Sequence, residues 1–186
     1  MTDTLSVPPA SDARAAGNPD RASGSTEDHC VFECSGRVFA ISLAAVREVL
    51  SGKLATPVPQ APPALVGVVE LHGDVLPVVQ PTALLGMVTR PYTPADPIVV
   101  LSSRDVKIGL AVDRVRHVRA IDPTSLTSAT HDCYRGWWAG STPPVAVLDV
   151  DAVVSRAVRV VAAQLQDALP GATRSPGTDG RACGSS

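Results

Sequence analysis

Between residues 30 and 148 the chain is a series of short, valine-rich apolar runs. Each is broken by a turn-forming cluster before it reaches helical length: Ser35-Gly36-Arg37, His72-Gly73-Asp74, Ser103-Arg104-Asp105 and Ser141-Thr142-Pro143-Pro144. Runs bounded in this way read as strands. Valine supports the reading, because its branched β-carbon suits a pleated, half-buried surface. Strands at regular turn spacing with few helical stretches predict an all-β sandwich or barrel and exclude a βαβ architecture.

Within that frame, Val31, Glu33 and Ser35 alternate with Phe32, Cys34 and Gly36, and the strand pattern resumes over 38–43, which predicts a hairpin. The stretch LAAVREVL reads as a helical turn leading into a short strand, and ATPVPQAPPAL as a proline-rich crossover. Residues 66–71 and 75–79 are predicted strands around the corner His72-Gly73-Asp74, followed by a short helix over 82–85 that Pro81 opens and Gly86 closes. Further strands end at Val112 and run over 115–121, and a last hairpin sends Trp137 and Trp138 to opposite faces. The period then changes. From an N-cap at Asp149 or Asp151, apolar residues recur at three and four (Val150, Val153, Val154, Ala157, Val158, Val161, Ala162, Leu165), which predicts one long amphipathic helix.

The 186 residues allow one domain, or two small subdomains sharing a core. Residues 1–28 and 170–186 are too poor in large apolar side chains to offset their ordering entropy and are expected to be disordered tails, leaving 29–169 as the folded part. Sixteen basic and 18 acidic residues give a net charge of -2, which argues against a nucleic-acid partner. No apolar run approaches the roughly 18–20 residues that span a bilayer, and the start of the chain lacks the order of a secretion signal, so no membrane insertion and a cytoplasmic location are expected.

Chemistry is sought and mostly not found. No GxGxxG, GxSxG or His-Glu-x-x-His is present, and in Ser51-Gly52-Lys53-Leu54 the earlier glycine of a phosphate loop is replaced by Arg47. Cys30, Cys34, Cys133 and Cys183 read as reduced thiols. An enzymatic or zinc-binding alternative requires His29, Cys34, His131 and Cys133 to meet in space. His117, within Arg114-Val115-Arg116-His117-Val118-Arg119, reads as the solvent face of a half-buried strand, with a basic recognition patch as the alternative.

Over residues 31–154 the order of short motifs resembles the CheW-like adaptor domain of bacterial chemotaxis. The marks are Val46-Arg47-Glu48-Val49, a Pro-x-Pro before Gly67-Val68-Val69, Gly73 with Leu76-Pro77-Val78, Gly109-Leu110-Ala111-Val112-Asp113, and Leu148-Asp149-Val150-Asp151. The resemblance implies two five-stranded SH3-like β-barrel subdomains sharing a core, with the amphipathic helix at the C-terminus, no active site, no metal and no cofactor. It also implies two partners for a protein monomeric on its own: the regulatory domain of a CheA-type histidine kinase, and the cytoplasmic tip of a methyl-accepting chemoreceptor. Carried over by position, Val46, Glu48, Gly67 and His72 are implied receptor-binding residues, and Val99 and Val100 kinase-binding residues.

Departures from the pattern accompany the marks. Glu70-Leu71-His72-Gly73 stands where the family usually has Asn-Leu-Arg-Gly, and Gln80-Pro81-Thr82 where it has Asp-Leu-Arg. An imidazole at 72 would be a weaker partner for Glu48 than a forked, permanently charged guanidinium. The changed positions support an alternative of the same fold: a diverged scaffold or regulator in another two-component pathway, such as pilus motility or gene control, that no longer binds a chemoreceptor.

Overall fold

A computed structural model of the chain describes residues 25–88, 90–129 and 131–167. In chain order the strands are β1 (Glu27–Cys34), β2 (Arg37–Ser42), β3 (Val46–Leu50), β4 (Leu65–Leu71), β5 (Asp74–Val79), β6 (Ile98–Ser103), β7 (Val106–Ala111), β8 (Arg114–Ile121), β9 (Tyr134–Trp138) and β10 (Val145–Leu148). Two helices, α1 (Pro81–Leu84) and α2 (Val150–Asp167), and 3-10 turns at Leu43–Ala45 and Pro123–Ser125 complete the described elements. The strands form two five-stranded sheets, ordered β8-β1-β2-β10-β9 and β3-β6-β7-β5-β4.

Both sheets follow one plan. An edge strand pairs antiparallel with a hairpin, the hairpin meets a second hairpin through a parallel pair, and the second hairpin carries the other edge. In each, the chain leaving the edge strand then bridges the opposite edge, at Thr56↔Val68 in the second sheet and at Thr127↔Trp137 in the first. These bridges bring the two edges of each sheet together as a barrel. At both bridges a glycine permits the approach. A β-carbon on Gly67 would lie 2.3 Å from the Thr56 carbonyl oxygen, and one on Gly136 2.6 Å from that of Thr127.

The edge strands match in detail. Val46 pairs with Leu101, Glu48 with Val100 and Val49 with Val99; likewise Val115 pairs with Phe32, His117 with Val31 and Val118 with Cys30. A bulge in each leaves an arginine, Arg47 or Arg116, unmatched in the ladder. Val-Arg-x-Val therefore occurs at the same place in both barrels.

Three hairpins turn on two consecutive residues of positive φ: Ser35 and Gly36 (49° and 73°), His72 and Gly73 (53° and 86°), Arg104 and Asp105 (46° and 65°). Two left-handed residues make the turn whose twist matches that of the flanking strands. Asp74 and Ser103, expected in the turns, are therefore strand residues. The N-terminal boundary differs as well. β1 starts at Glu27, inside the expected tail, because the Glu27 carboxylate is anchored by Arg135 at 2.9 Å and its backbone pairs with Ile121. Segments 1–24 and 168–186, with Cys183, lie outside the described residues.

One apolar core joins the barrels. Phe32, Phe39 and Ile41 of the first sheet meet Val99, Leu101, Ile108 and Leu110 of the second, together with Leu84 after α1 begins and Val153, Val154 and Ala157 of α2. Phe32 and Phe39 stack with centroids 5.8 Å apart. Each barrel keeps a smaller interior of its own, around Val31, Ala40 and Val147 in one and Val69, Leu76, Val78 and Val100 in the other. Trp137 packs on the shared core and Trp138 on the first barrel's interior, so the two indoles do take opposite faces.

Asp149 caps α2. Its Oδ1 accepts the Ala152 amide at 2.8 Å, while Asp151 turns away to Ser103 and Arg104. The apolar stripe of α2 is fully buried only through Ala157, and Val160 and Val161 beyond it are partly buried on the core; Val158 is 46% exposed, and with Val161 and Ala162 it walls an apolar groove against Pro77, Val106 and Ile108. The side chain of Leu165 lies outside the described part.

Candidate partner-binding surface

The corner at His72 is where the second barrel closes. β3 and β4 are the two edges of one sheet, yet Nε2 of His72 lies 3.2 Å from Oε1 of Glu48. His72 is 78% exposed and Glu48 38%, so the pair forms a polar clasp on the surface. The imidazole makes it an ion pair only when protonated. The corner is fixed from both sides: Glu70 Oε1 accepts the Gly73 amide at 2.7 Å, and Lys107 holds Asp74 at 2.9 Å. The Lys107 hydrogen bond keeps the Asp74 carboxyl below its ordinary range. Glu70, a departure from the family pattern, thus supports the left-handed turn.

The other implied receptor residues are placed differently. Gly67 is buried against Thr56, where its missing side chain lets the barrel close. Val46 is half-buried and packs on the shared core. Substituting it therefore perturbs the core as well as any contact. Val49, part of the same motif but not among the implied receptor residues, is 41% exposed on the same edge. Its signal was the alternation of β3, in which positions 47 and 49 are exposed.

Val99 and Val100 are not surface residues. They are 0% and 1% exposed, one facing the shared core and the other the interior of the second barrel, on a strand flanked by β3 and β7. A side chain sealed in this way offers no area to a partner, so the expected kinase contact at these two positions is corrected to a core role.

The residues of the enzymatic alternative do not assemble. Nδ1 of His29 donates to the Glu27 carbonyl at 2.8 Å and His131 Nδ1 accepts the Cys133 amide at 3.1 Å. Burial pushes the Cys34 thiol up to about 11, with the Asp113 carboxylate adding to the effect, the reverse of an activated nucleophile. Among the described residues no three metal-ligating side chains gather.

β8 is more exposed than a half-buried strand. Only Ile121 is fully buried, and Val118 is 53% exposed, because the strand lies at an edge. Its cations are largely engaged: Arg114 and Arg116 both bind Glu33, and Arg119 lies 5.3 Å over the Trp138 ring.

Two five-stranded barrels around one core, followed by a C-terminal helix, define the fold. A solved example is the scaffolding protein TtCheW from Thermoanaerobacter tengcongensis, which superposes with a TM-score of 0.60 at 21% identity, covering 67% of this chain and 90% of that one. Residues 28–177 match the CheW-like domain, and the chain belongs to that family. Curated relatives named Chemotaxis protein CheW include that of Rhizobium meliloti (strain 1021), 37% identical over 98 residues, or 50% of this chain and 63% of the relative. That of Bacillus subtilis (strain 168) is 29% identical over 103 residues, or 55% and 66%. The chain thus spans a little under two thirds of these relatives' length in the matched regions.

Proposed function

We propose that this chain is a non-enzymatic adaptor of chemotaxis, which couples chemoreceptors to a CheA-type histidine kinase by contact. Its place is the cytoplasm, at membrane-bound receptor arrays; no helix among the described residues is long and apolar enough to cross a membrane itself. Family membership supports the role. The observation that carries the site is the exposed Glu48–His72 clasp, with Val49 exposed on the other face of the same edge strand. An exposed strand edge carrying an apolar side chain and a few charges suits one face of an amphipathic helix, and a receptor tip is a pair of such helices. The kinase is proposed to dock elsewhere on the surface, since Val99 and Val100 are buried.

Titration calorimetry with a receptor-tip fragment and, separately, with a kinase regulatory domain tests the proposal. Both should bind, and His72→Ala should weaken only the receptor fragment, by about threefold to tenfold, as for an exposed charge pair of about 1 kcal/mol. Binding of neither fragment would refute the role. A second reading, the diverged scaffold, is favoured by Gln80 and Thr82. Gln80 donates to the Arg90 carbonyl at 2.8 Å and Thr82 is buried beside Cys34, so both departures from the family pattern serve the interior. Kinase binding without receptor binding would select that reading.

A further inference from the structure

The chain passes between the barrels twice, through Leu43–Ala45 and back through Val112 and Asp113. The return crossing carries a polar node. Oδ2 of Asp113 accepts the amide of Ser35, in the β1–β2 turn of the first barrel, at 2.8 Å, and the Asp113 amide donates to the Glu33 carbonyl at 2.9 Å. Oδ1 of the same carboxylate receives Nε of Arg90 at 2.8 Å, from the α1–β6 loop of the second barrel. Arg90 extends Nη2 to Asp96 Oδ1 at 2.6 Å, and Asp96, 8% exposed, also accepts the Thr93 amide at 2.7 Å. Nη1 binds the Pro91 carbonyl at 3.1 Å, and Gln80 holds the Arg90 backbone.

A planar guanidinium with donors on two edges can hold two carboxylates at fixed separation. Here those carboxylates belong to different parts of the fold. We propose that Arg90 is a latch: it fastens the loop 90–96 to the return crossing, so that this loop of the second barrel and the β1–β2 turn of the first open and close as one unit. The apolar core holds the sheets together, but no side chain of that core binds the amides of Ser35 and Thr93, whose acceptors are Asp113 and Asp96. A ligand or partner that ordered one segment would therefore order the other, as reciprocal linkage requires.

Amide hydrogen exchange, followed residue by residue on the full chain, tests the latch. Arg90→Met should speed exchange of the Ser35 amide by about tenfold relative to Phe32, a core amide that reports global opening. In the opposite direction, Asp113→Asn should speed the Thr93 amide by a similar factor. Should Arg90→Met fail to fold, the Asp113→Asn measurement decides alone. Acceleration confined to 91–96 in the first variant, or an unchanged Thr93 in the second, would overturn the proposal.

Discussion

The two barrels share a strand plan, a closing bridge and a Val-Arg-x-Val edge, yet they present these edges differently. In the first barrel the cations of the edge strand β8 are engaged within the barrel: one carboxylate, Glu33, binds two arginines, and Arg119 lies over an indole. Charged edge strands of this kind discourage pairing with other chains. In the second barrel the equivalent of His117 is Glu48, and its partner is a histidine at a hairpin corner, more exposed than itself. A clasp of that kind can be remade with an incoming group at little cost. Equal scaffolding thus supports an edge whose cations are already engaged in one barrel and an edge held by an exposed polar clasp in the other, and the difference lies in a few side chains.

The equality of the scaffolds is the part easiest to break, and with the largest effect. Val31 and Val100 hold equivalent positions, 3% and 1% exposed. Val31→Asp and Val100→Asp should each cost more than about 4 kcal/mol, because a carboxylate would be buried without a partner. Urea denaturation would show both unfolded or nearly so; a folded Val100→Asp with lost kinase binding would restore that residue to the surface. Next come the closures. Gly67→Ala and Gly136→Ala should each destabilise by about 1–3 kcal/mol, since the added carbon meets a carbonyl oxygen and the bridge must open. A large effect in one barrel only would show that the closures are not equivalent.

Acid unfolding sharpens the picture at the junction. Burial alone would raise the Asp96 carboxyl, but Arg90 and the Thr93 amide outweigh it and hold the group below its ordinary value. Such a carboxylate contributes stability that is present above the unfolded value of about 3.9 and lost as pH falls through the lower folded value. Arg90→Met removes one of the two favourable partners and leaves burial opposed only by the Thr93 amide. Its acid transition, followed by circular dichroism, should therefore begin at higher pH than that of the parent chain.

Much of the fold is legible in the sequence because turn chemistry and alternation act locally. Ser35-Gly36 and His72-Gly73 announce their corners, and the switch to three-and-four spacing announces α2. Burial is less legible. Val99 and Val100 lie in an apolar run that reads the same whether a strand is central or at an edge, and only the sheet order makes them core. The shared plan of the barrels was also hidden. Four residues of Val-Arg-x-Val at 46–49 and 115–118 establish nothing until the ladder sets each against its partner. At the candidate site, Glu48 and His72 are 24 positions apart and meet only because the sheet closes, while Arg90 reaches Asp113 through a loop without periodic pattern.

The contrast between the edges is tested most directly by one pair of substitutions read in one assay. Val49 and Val118 occupy matching places, 41% and 53% exposed, so aspartate at either should leave the melting temperature nearly unchanged. Titrated against a receptor-tip fragment, Val49→Asp should lose about tenfold or more in affinity, the order expected for placing a charge in an apolar contact, while Val118→Asp binds like the parent chain. Equal losses for the two variants, or a loss confined to Val118→Asp, would contradict the assignment of the partner surface to the second barrel.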